Sequence, residues 1–346
     1  MFRIGIDLGG TNIKAVILDK NNRILASDTC PTHASDGFDG VMKSICGSVA
    51  RMQASLSAQL TDSGDISPDP KEAAFSPASF CGGMTVPGQI CGPGGPVLYA
   101  PNIGWHDVDP VGYLRDHLGI SFKLANDADA IALAEAVVGA GADYPSILML
   151  ALGTGVGGAY ILDRKIFDGF GLFGGEFGHI PLVHGGRPCP CGITGCFEQY
   201  CSASGLARIA REALEENLKA CKDSTDHGDA CRVTLLWDLC GHDPERLNTV
   251  HLFEAAKKED PTAVRVLTDF FDHLSEGITG LVNIFRPGAV IIGGGLAEAG
   301  DALFIPVNER VSRMTYGSSY IPAPPVLKAS GGIYTGAVGA ALLQEA

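Results

Sequence analysis

The sequence has no long hydrophobic run. Although 46% of its 346 residues are hydrophobic, no apolar stretch reaches the roughly 18 residues that a membrane-crossing helix needs. Met1 to Ile4 enter an alternating strand pattern at once, without the basic segment, apolar segment and cleavage site of a secretory signal. We therefore expect a cytoplasmic protein with no membrane partner.

Clusters of basic residues are also lacking. The chain has 25 Lys and Arg against 39 Asp and Glu, so its formal net charge is -14. A nucleic-acid partner needs a basic face that neutralises phosphates, and we expect no such partner. Eleven cysteines without an export signal argue against a disulfide framework. Metal binding or plain burial is the first expectation for them.

The length of the chain predicts two globular domains, because single domains hold roughly 100–200 residues. Glycine is abundant, with 46 residues, about twice its usual share of roughly 7%. Such a content indicates many tight turns and close backbone approaches.

A strand-turn-strand pattern occurs twice, 144 positions apart. Residues 2–8 alternate as in a strand, turn at residues 9–11 and continue into strands at 13–18 and 23–26. The residues that recur are Leu8, Gly9, Ala15, Ile17, Leu18 and Asp19, matched by Leu152, Gly153, Ala159, Ile161, Leu162 and Asp163. Common residues can match by chance, but the shared context predicts an internal duplication.

Helical periodicity and turn composition place the remaining elements. Helices are predicted at residues 41–60, about 203–220, 266–285 and about 336–343, a buried strand at 289–292, a surface loop at 63–77 and a polar stretch up to about 250.

Two glycine-rich turns offer the geometry that phosphate binding needs. Asp7 supplies a carboxylate for Mg²⁺ beside the turn Gly9-Gly10-Thr11, and Gly153-Thr154-Gly155 supplies a second turn. A glycine-rich hairpin alone is usually only a hairpin. Two of them at matching positions of a duplicated frame favour phosphoryl transfer, in which catalysis is mainly positioning and charge neutralisation.

One imidazole and three thiols lie close together in the sequence at His179, Cys189, Cys191 and Cys196. A Cys₃His set suits structural Zn²⁺, and its full shell leaves no position for an activated water. The Cys-x-Cys spacing is tighter than in common zinc fingers, so burial of the thiols stays open as an alternative. We interpret Cys201 as a packed thiol.

Asn126 is predicted to be the N-cap of an alanine-rich helix that runs to Val138 and ends at Gly139. Asp127 in its first turn could be an ordinary capping residue. The helix dipole would also keep this carboxylate ionised, so that it could accept a proton from a substrate hydroxyl. Asp129 is the competing carboxylate, which we interpret as a capping or packing residue.

The segment from Asp7 to Lys14, the duplication and the glycine run at Gly293 resemble the sugar kinase/actin/heat-shock ATPase superfamily. Residues 174–179 and 189–198 are similar to the signature of the ROK family, which groups repressors, open-reading-frame proteins and kinases. The resemblance covers nearly the whole chain. It implies an α/β fold of two duplicated actin-like (ribonuclease H-like) domains around a central cleft. The implied domains are residues 1–125, with the helix at about 336–346 packing back, and residues 126–335, which carry the zinc loop and nucleotide site.

The resemblance also implies roles for particular residues. ATP would bind between the two turns, and Gly293-Gly294-Gly295 would lie beside the adenosine, where a simple strand-to-helix turn is the alternative. The implied nucleotide residues are Asp7, Gly9, Gly10, Thr11, Lys14, Gly153, Thr154, Gly155, Gly293, Gly294 and Gly295. The implied sugar residues are Asn102, Asn126, Asp127, Glu176, His179 and Glu198, with Asp127 as catalytic base and His179 also on zinc. Glu198 could otherwise be a solvated surface charge.

Two positions stand apart within this resemblance. Trp105, near the implied sugar loop, either closes the cleft or packs a core. Thr85 lies beneath the sugar, where the family usually has glycine. The resemblance therefore does not determine the structure of the pocket floor.

The expected function is ATP-dependent hexose phosphorylation, because the segment 175–200 looks most like the family's bacterial glucokinases. Glucose, phosphorylated on O6, is the leading substrate, and N-acetylmannosamine, allose and fructose are alternatives. A sugar-responsive regulator is the weaker interpretation, because the chain keeps Asp127, is acidic and starts at the first strand without a helix-turn-helix. An actin- or chaperone-type ATPase is weaker still, since neither needs a Cys₃His site beside paired carboxylates. Homodimers are common in the family, but no apolar stripe in the sequence establishes one.

Overall fold

The computed structural model describes residues 1–62, 76–92, 94–170, 174–223 and 234–344. Most of the predicted surface loop, residues 63–75, lies outside the described residues. The chain forms two compact units. The first unit contains Met1–Ser146, Ala159–Gly174 and Ser330–Ala346, and the second contains Ile147–Gly158 and Gly175–Ala329.

The strands are β1 (Phe2–Leu8), β2 (Asn12–Leu18), β3 (Ile24–Pro31), β4 (Phe80–Val86), β5 (Gln89–Ile90), β6 (Val97–Ala100), β7 (Trp105–Val108), β8 (Phe122–Asn126), β9 (Ser146–Leu152), β10 (Val156–Leu162), β11 (Lys165–Ile166), β12 (Ala289–Gly293) and β13 (Val326–Lys328). The α-helices are α1 (Gly37–Asp62), α2 (Pro110–Leu118), α3 (Asp127–Val137), α4 (Glu198–Cys201), α5 (Ala203–Asp223), α6 (Leu235–Leu239), α7 (Thr249–Lys257), α8 (Pro261–Phe285), α9 (Asp301–Met314) and α10 (Thr335–Leu342).

The predicted duplication is confirmed by the strands. Both bounds of β9 and of β10 lie 144 positions after the matching bounds of β1 and β2. The two five-stranded sheets also share one plan, with orders β3-β2-β1-β4-β8 and β11-β10-β9-β12-β13. In each sheet an antiparallel meander leads into parallel neighbours, which confirms the predicted α/β class.

The predicted helices are also present, with bounds that differ by a few residues. The third strand is longer than predicted, because β3 stays paired with β2 as far as Pro31 opposite Asn12. The predicted polar stretch up to residue 250 contains helix α6 and the start of α7. Short helices of this kind carry too little periodicity to be found from sequence alone. Among the described residues, no helix combines the length and the hydropathy that crossing a bilayer demands.

The core of the first unit forms between its sheet and the helices on its two faces. The alternating residues Ile4, Ile6 and Leu8 are buried on β1, as the period-two pattern predicts. Helix α10 packs so closely on β1 that a side chain at Gly5 would collide with the Ala337 carbonyl. The small residues of α10 therefore bring the end of the chain onto the first strand.

A buried carboxylate fixes helix α3. Glu135 is 1% exposed and accepts hydrogen bonds from the backbone N–H groups of Ala140, Ser330 and Gly331, at 2.9, 3.1 and 2.7 Å. The Ser330 hydroxyl donates to the same carboxylate at 3.2 Å. Glu135 thus binds the backbone at Ser330 and Gly331, where the third segment of the first unit begins.

Replacing Glu135 with alanine should lower the free energy of unfolding of the first unit by about 3 kcal/mol, because three backbone N–H groups would lose their buried acceptor. Urea denaturation can follow this unit through Trp105 fluorescence in a Trp237→Phe background, since the chain has two tryptophans. The exposed Glu215→Ala should change the same energy by less than about 0.5 kcal/mol. Equal effects of both variants would contradict the role of Glu135.

Candidate functional site

Three hydrogen bonds hold the first glycine turn, residues 9–11, in place. Gly9 N–H donates to the Asn12 carbonyl at 3.0 Å, and Thr32 N–H donates to the Thr11 carbonyl at 2.9 Å. The buried Thr32 hydroxyl donates to the Gly9 carbonyl at 2.6 Å. These bonds leave Gly10 and Thr11 exposed, as a turn that receives phosphate oxygens requires.

Two charged residues flank this turn. Asp7 and Lys14 are direct partners across the β1–β2 ladder, and both are half-buried. Thr85 lies opposite Asp7 on β4, is fully buried and donates its hydroxyl proton to Asp7 Oδ1 at 2.8 Å. The threonine therefore contacts a carboxylate beside the turn.

Asn126 is the N-cap of helix α3, as predicted. Its φ and ψ of -67° and 156° are extended, and its side chain accepts from Ala128 N–H at 2.9 Å. Asp127 is the first helical residue, and its Oδ1 also accepts from Ala128 N–H, at 2.8 Å. Two acceptors share this donor, so the Asp127 carboxylate keeps capacity for a further partner.

The surroundings of Asp127 alter its acidity. Desolvation by the surrounding protein raises the pKa of the Asp127 carboxyl, the Ala128 N–H opposes this, and the negative charge of Asp7 raises the pKa further. The side chain still reaches solvent, which screens part of this effect. Asp127 is thus a weaker acid, and a stronger base, than an ordinary aspartate.

Asn102 and Trp105 have different environments although they are close in sequence. Asn102 is exposed in a 3₁₀ turn, and its carbonyl oxygen lies 3.7 Å from an ideal Cβ at Gly10. Trp105 is 2% exposed and its ring meets that of Phe38 edge-on, with centroids 5.0 Å apart. Of the two interpretations of Trp105, the structure supports core packing.

The second glycine turn, residues 153–155, belongs to the second unit and is bonded to the segment after the cysteines. Glu198 Oε2 accepts from Val156 N–H at 3.0 Å, and Ala203 N–H donates to the Gly153 carbonyl at 2.7 Å. A Cβ at Gly155 would collide with Glu198 Oε2. Glu198 is half-buried and bonded to backbone, so it is not a freely solvated surface charge.

His179, Cys189, Cys191 and Cys196 form one group, which we call the Cys₃His cluster. Their ligand atoms all lie within 4.8 Å of one another. Cys191 Sγ is 3.6 Å from Cys196 Sγ, and Cys189 Sγ is 3.8 Å from His179 Nδ1. Ligands about 2.3 Å from a tetrahedral Zn²⁺ would lie about 3.8 Å apart, so these two separations are compatible with a zinc site.

Glycines allow the loop of the Cys₃His cluster to double back. Gly192 and Gly195 have φ of 92° and 80°, a region that favours glycine. A bridge between Pro188 and Thr194 closes this tight loop. Cys201 is fully buried and lies outside the cluster, in agreement with its interpretation as a packed thiol.

The thiols of the Cys₃His cluster differ in acidity. Burial, followed by hydrogen bonds with Cys191 and Cys189, raises the pKa of Cys196 to about 12. The backbone N–H of Ile193 lowers the pKa of the exposed Cys191. A cation would have to displace the proton of Cys196, so metal uptake by this cluster should release protons.

Residues outside the cluster support it, and the sequence alone had not identified them. Gln199 is 7% exposed, and its side-chain N–H donates to Cys189 Sγ at 3.5 Å. Arg187 forms a two-pronged ion pair with Glu212, and Arg187 N–H donates to the Tyr200 hydroxyl at 2.8 Å. A contact like that of Gln199 with Cys189 orients a metal ligand. The only sequence signal for Gln199 was its position directly after Glu198.

Glu176 is exposed and immediately precedes the 3₁₀ turn Phe177–His179. This turn also supports the start of β10, because a Cβ at Gly178 would collide with the Val156 carbonyl. The segment that carries Glu176 and His179 therefore packs on the residue that Glu198 binds.

Gly293 ends the buried strand β12, and a 3₁₀ helix (Gly295–Ala299) follows. A cavity of about 810 Å³ opens beside Gly295, between α7, α8 and the start of α9. Its lining includes Val250, Phe253, Val264, Leu267, Phe271 and Leu296, with Glu254, Lys257 and Glu298 among them. A mainly apolar cavity with a few polar groups is typical of a small-molecule site. No pattern in the sequence predicted the aromatic lining of this cavity.

The predicted site residues are thus divided between the two units. The first unit brings together Asp7, Gly9, Gly10, Thr11, Lys14, Asn102, Asn126 and Asp127. The second contains Gly153, Thr154, Gly155, Glu176, His179, Cys189, Cys191, Cys196, Glu198, Gly293, Gly294 and Gly295. Each unit therefore carries one glycine turn and at least one half-buried or exposed carboxylate.

The chain is similar to known proteins over most of its length. A glucokinase of Thermotoga maritima is 31% identical over 309 residues, which cover 89% of this chain and 86% of that protein. The structure of a ROK hexokinase from Thermus thermophilus matches with a TM-score of 0.76 and 29% identity, over 99% of this chain and 97% of the other. A ROK glucokinase from Streptomyces griseus, solved with glucose and AMPPNP, matches with a TM-score of 0.70 and 29% identity over the whole of both chains. These structures identify the duplicated fold as actin-like. The ROK family pattern matches residues 71–346, and the chain belongs to the ROK family.

Proposed function

We propose that this protein, an ATP-dependent hexose kinase by its family and relatives, phosphorylates glucose on O6 to give glucose 6-phosphate. One observation carries the proposal. Glu198, which follows the last cysteine of the Cys₃His cluster, is hydrogen-bonded to the end of the second glycine turn. A carboxylate suited to sugar hydroxyls and a turn suited to phosphate are therefore one connected structure.

The proposed sugar contacts come from residues with exposed or half-buried polar groups. Glu176, His179 and Glu198 would accept or donate bonds to hydroxyls, with Asn102 and Asn126 as further contacts. His179 directs Nδ1 to the Cys₃His cluster, so Nε2 remains for a hydroxyl. Zinc in this cluster would act structurally, since four protein ligands complete its shell.

The proposed chemistry requires a base at the acceptor oxygen. Asp127 would accept the proton of the sugar O6 hydroxyl as that oxygen attacks the γ-phosphoryl group. The raised pKa of its carboxyl increases its strength as a base. Asp7 would hold Mg²⁺, whose charge would offset that of the phosphates. The glycine turns and Lys14 would bind phosphate oxygens.

The nucleotide proposal is supported by the cavity beside Gly295. Its volume of about 810 Å³ lies within the roughly 300–1,000 Å³ of typical ligand sites. The ring of Phe253 or Phe271 could stack on an adenine base. Gly295 lines this cavity and is exposed, so a nucleotide could approach its backbone there.

The substrate can be tested with a coupled assay of ADP release across glucose, mannose, fructose, allose and N-acetylmannosamine. We expect the highest kcat/KM with glucose, and a product with phosphate on O6 by NMR. Activity confined to N-acetylmannosamine, allose or fructose would refute glucose and keep the enzyme class. ATP hydrolysis that no sugar stimulates would refute both.

The pH dependence of kcat/KM should reflect Asp127. Because the pKa of this carboxyl is raised, the base is lost by protonation at a higher pH than for an ordinary aspartate. The rate should therefore fall, as pH decreases, at a pH above the ordinary aspartate range. In protein free of metal and nucleotide, Asp7→Asn removes a negative charge that raises the pKa of the Asp127 carboxyl, so this pKa should fall in an NMR titration. An unchanged pKa of Asp127 in Asp7→Asn would contradict the coupling.

Gly155→Ala should raise the KM for sugar about tenfold or more, although the residue lies in the proposed phosphate turn. The new Cβ would displace Glu198, and a lost bond to a charged group costs about 1.5–3 kcal/mol. Gly153→Ala is the matched control, because its Cβ position has no atom of the described residues within 4 Å apart from those of its chain neighbours. Sugar KM values that change equally in both variants would contradict the connection through Glu198.

A further inference from the structure

The Asp7 carboxylate is oriented by the hydroxyl of Thr85. Thr85 Oγ1 donates to Asp7 Oδ1 at 2.8 Å, and the same oxygen accepts from Leu8 N–H at 3.3 Å. A hydroxyl has one proton. Because the Leu8 N–H already approaches the oxygen as donor, the Thr85 proton is directed to Asp7. Thr85 is 0% exposed, so water does not compete for either bond.

Strand pairing places the two residues together. In the parallel ladder of β1 and β4, Asp7 and Thr85 form the last matched pair, and only Leu8 separates Asp7 from the first glycine turn. A residue without a hydroxyl at this position would leave Leu8 N–H and one oxygen of Asp7 without these bonds. Buried groups that lose a partner are costly, so they would rearrange.

The other side of the same carboxylate is bounded by helix α10. An ideal Cβ at Gly336, the second residue of α10, would lie 2.7 Å from Asp7 Cγ. The amino-terminal end of a helix favours a negative charge. Asp7 is therefore restricted by Thr85 and by Gly336. No hydrogen bond to Asp7 Oδ2 occurs within the ranges of the chain that the structure describes.

We propose that Thr85 is a positioning residue, which turns Asp7 so that Oδ2 meets the divalent cation of the bound nucleotide. The proposal rests on the proposed use of Mg²⁺ and ATP. Mg²⁺ binds through one or two carboxylates together with phosphate oxygens and waters. A carboxylate with one oxygen hydrogen-bonded and the other without a hydrogen bond among the described residues suits such a cation, because less freedom is lost on binding.

The test compares Thr85→Val, which keeps the shape of the side chain, with Thr85→Ser, which keeps the hydroxyl. Calorimetry without sugar would measure the Kd of a non-hydrolysable ATP analogue with and without Mg²⁺. We expect Thr85→Val to reduce the tightening by Mg²⁺ about tenfold, the loss expected for one bond to a charged group. Binding without Mg²⁺ should stay unchanged, and Thr85→Ser should stay within about twofold of the wild type.

Two further variants keep the test decisive. Thr279→Val is the matched control, because the buried Thr279 hydroxyl has no hydrogen-bond partner among the described residues, and it should keep the Mg²⁺ effect. Gly336→Ala crowds Asp7 from the other side. If Thr85→Val folds poorly, Gly336→Ala should show the same reduced tightening of nucleotide binding by Mg²⁺. Circular dichroism and thermal melting would verify each fold.

Three outcomes would overturn the proposal. In the first, Mg²⁺ tightens nucleotide binding as much in Thr85→Val as in the wild type. In the second, Thr85→Ser loses as much of this tightening as Thr85→Val. In the third, Mg²⁺ does not change the nucleotide affinity of the wild type. Failure of the proposed function is separate, since it would appear as absent sugar phosphorylation with the Mg²⁺ effect on nucleotide binding intact.

Discussion

Asp127→Asn is expected to lower kcat for sugar phosphorylation by about 10³-fold, while the affinity for sugar changes by no more than a few-fold. General base catalysis contributes roughly 10²–10⁴ to rates, and an asparagine amide cannot accept the hydroxyl proton. The fold should persist, because Asn126 also caps helix α3 through Ala128 N–H. Turnover would be measured by ADP release, and sugar binding by calorimetry.

Asp129→Asn is the control for this experiment. Asp129 lies in the same first turn of α3 and carries the same charge, so its replacement alters the helix dipole interaction without removing the proposed base. We expect it to keep at least a third of wild-type turnover. Near-normal turnover of Asp127→Asn, or a loss confined to Asp129→Asn, would show that the base has been misassigned.

Loss of the Cys₃His cluster should have the second largest effect. Wild-type protein is expected to contain one zinc per chain by elemental analysis, and Cys196→Ala almost none. The structural metal should stabilise the loop strongly, since zinc-binding peptides gain roughly 10–16 kcal/mol from the ion. We expect the variant to lose measurable sugar binding and to melt at least about 5 °C lower.

Cys201→Ala separates metal loss from the loss of a buried thiol. Cys201 is as buried as Cys196 but lies outside the cluster, so the variant should keep its zinc and its sugar affinity. The metal should also become easier to extract as pH falls. Protons compete for the Cys196 thiol, whose pKa is raised to about 12 in the metal-free cluster. Zinc-free wild-type protein that binds sugar normally would contradict the assignment.

Local patterns predicted much of the fold. The alternation in residues 2–8 and the cap at Asn126 depend on neighbours within one strand or one helical turn, and both elements occur where they were predicted. The duplication was visible because the two strand-turn-strand units keep the same spacing. The four residues of the Cys₃His cluster also lie within 18 positions of the sequence. Their grouping therefore required only a short loop.

Other features depend on segments that are far apart in the sequence. Thr85 contacts Asp7 across 78 positions, and Glu198 contacts Val156 across 42. Glu135 reaches Gly331 across 196. No local periodicity encodes such contacts, since they follow from strand register and helix packing. For the same reason, Trp105 could be assigned to the core only after its neighbours were known.

The sequence by itself therefore determined the chemical groups and the elements that carry them, including the helix start at Asp127 and the loop of the Cys₃His cluster. These depend on short-range backbone geometry, capping and ligand spacing. Only the tertiary structure decided the orientation of those groups. The direction of the Asp7 carboxylate and the partner of Glu198 are set by strand pairing and close packing, which join residues that the chain keeps far apart.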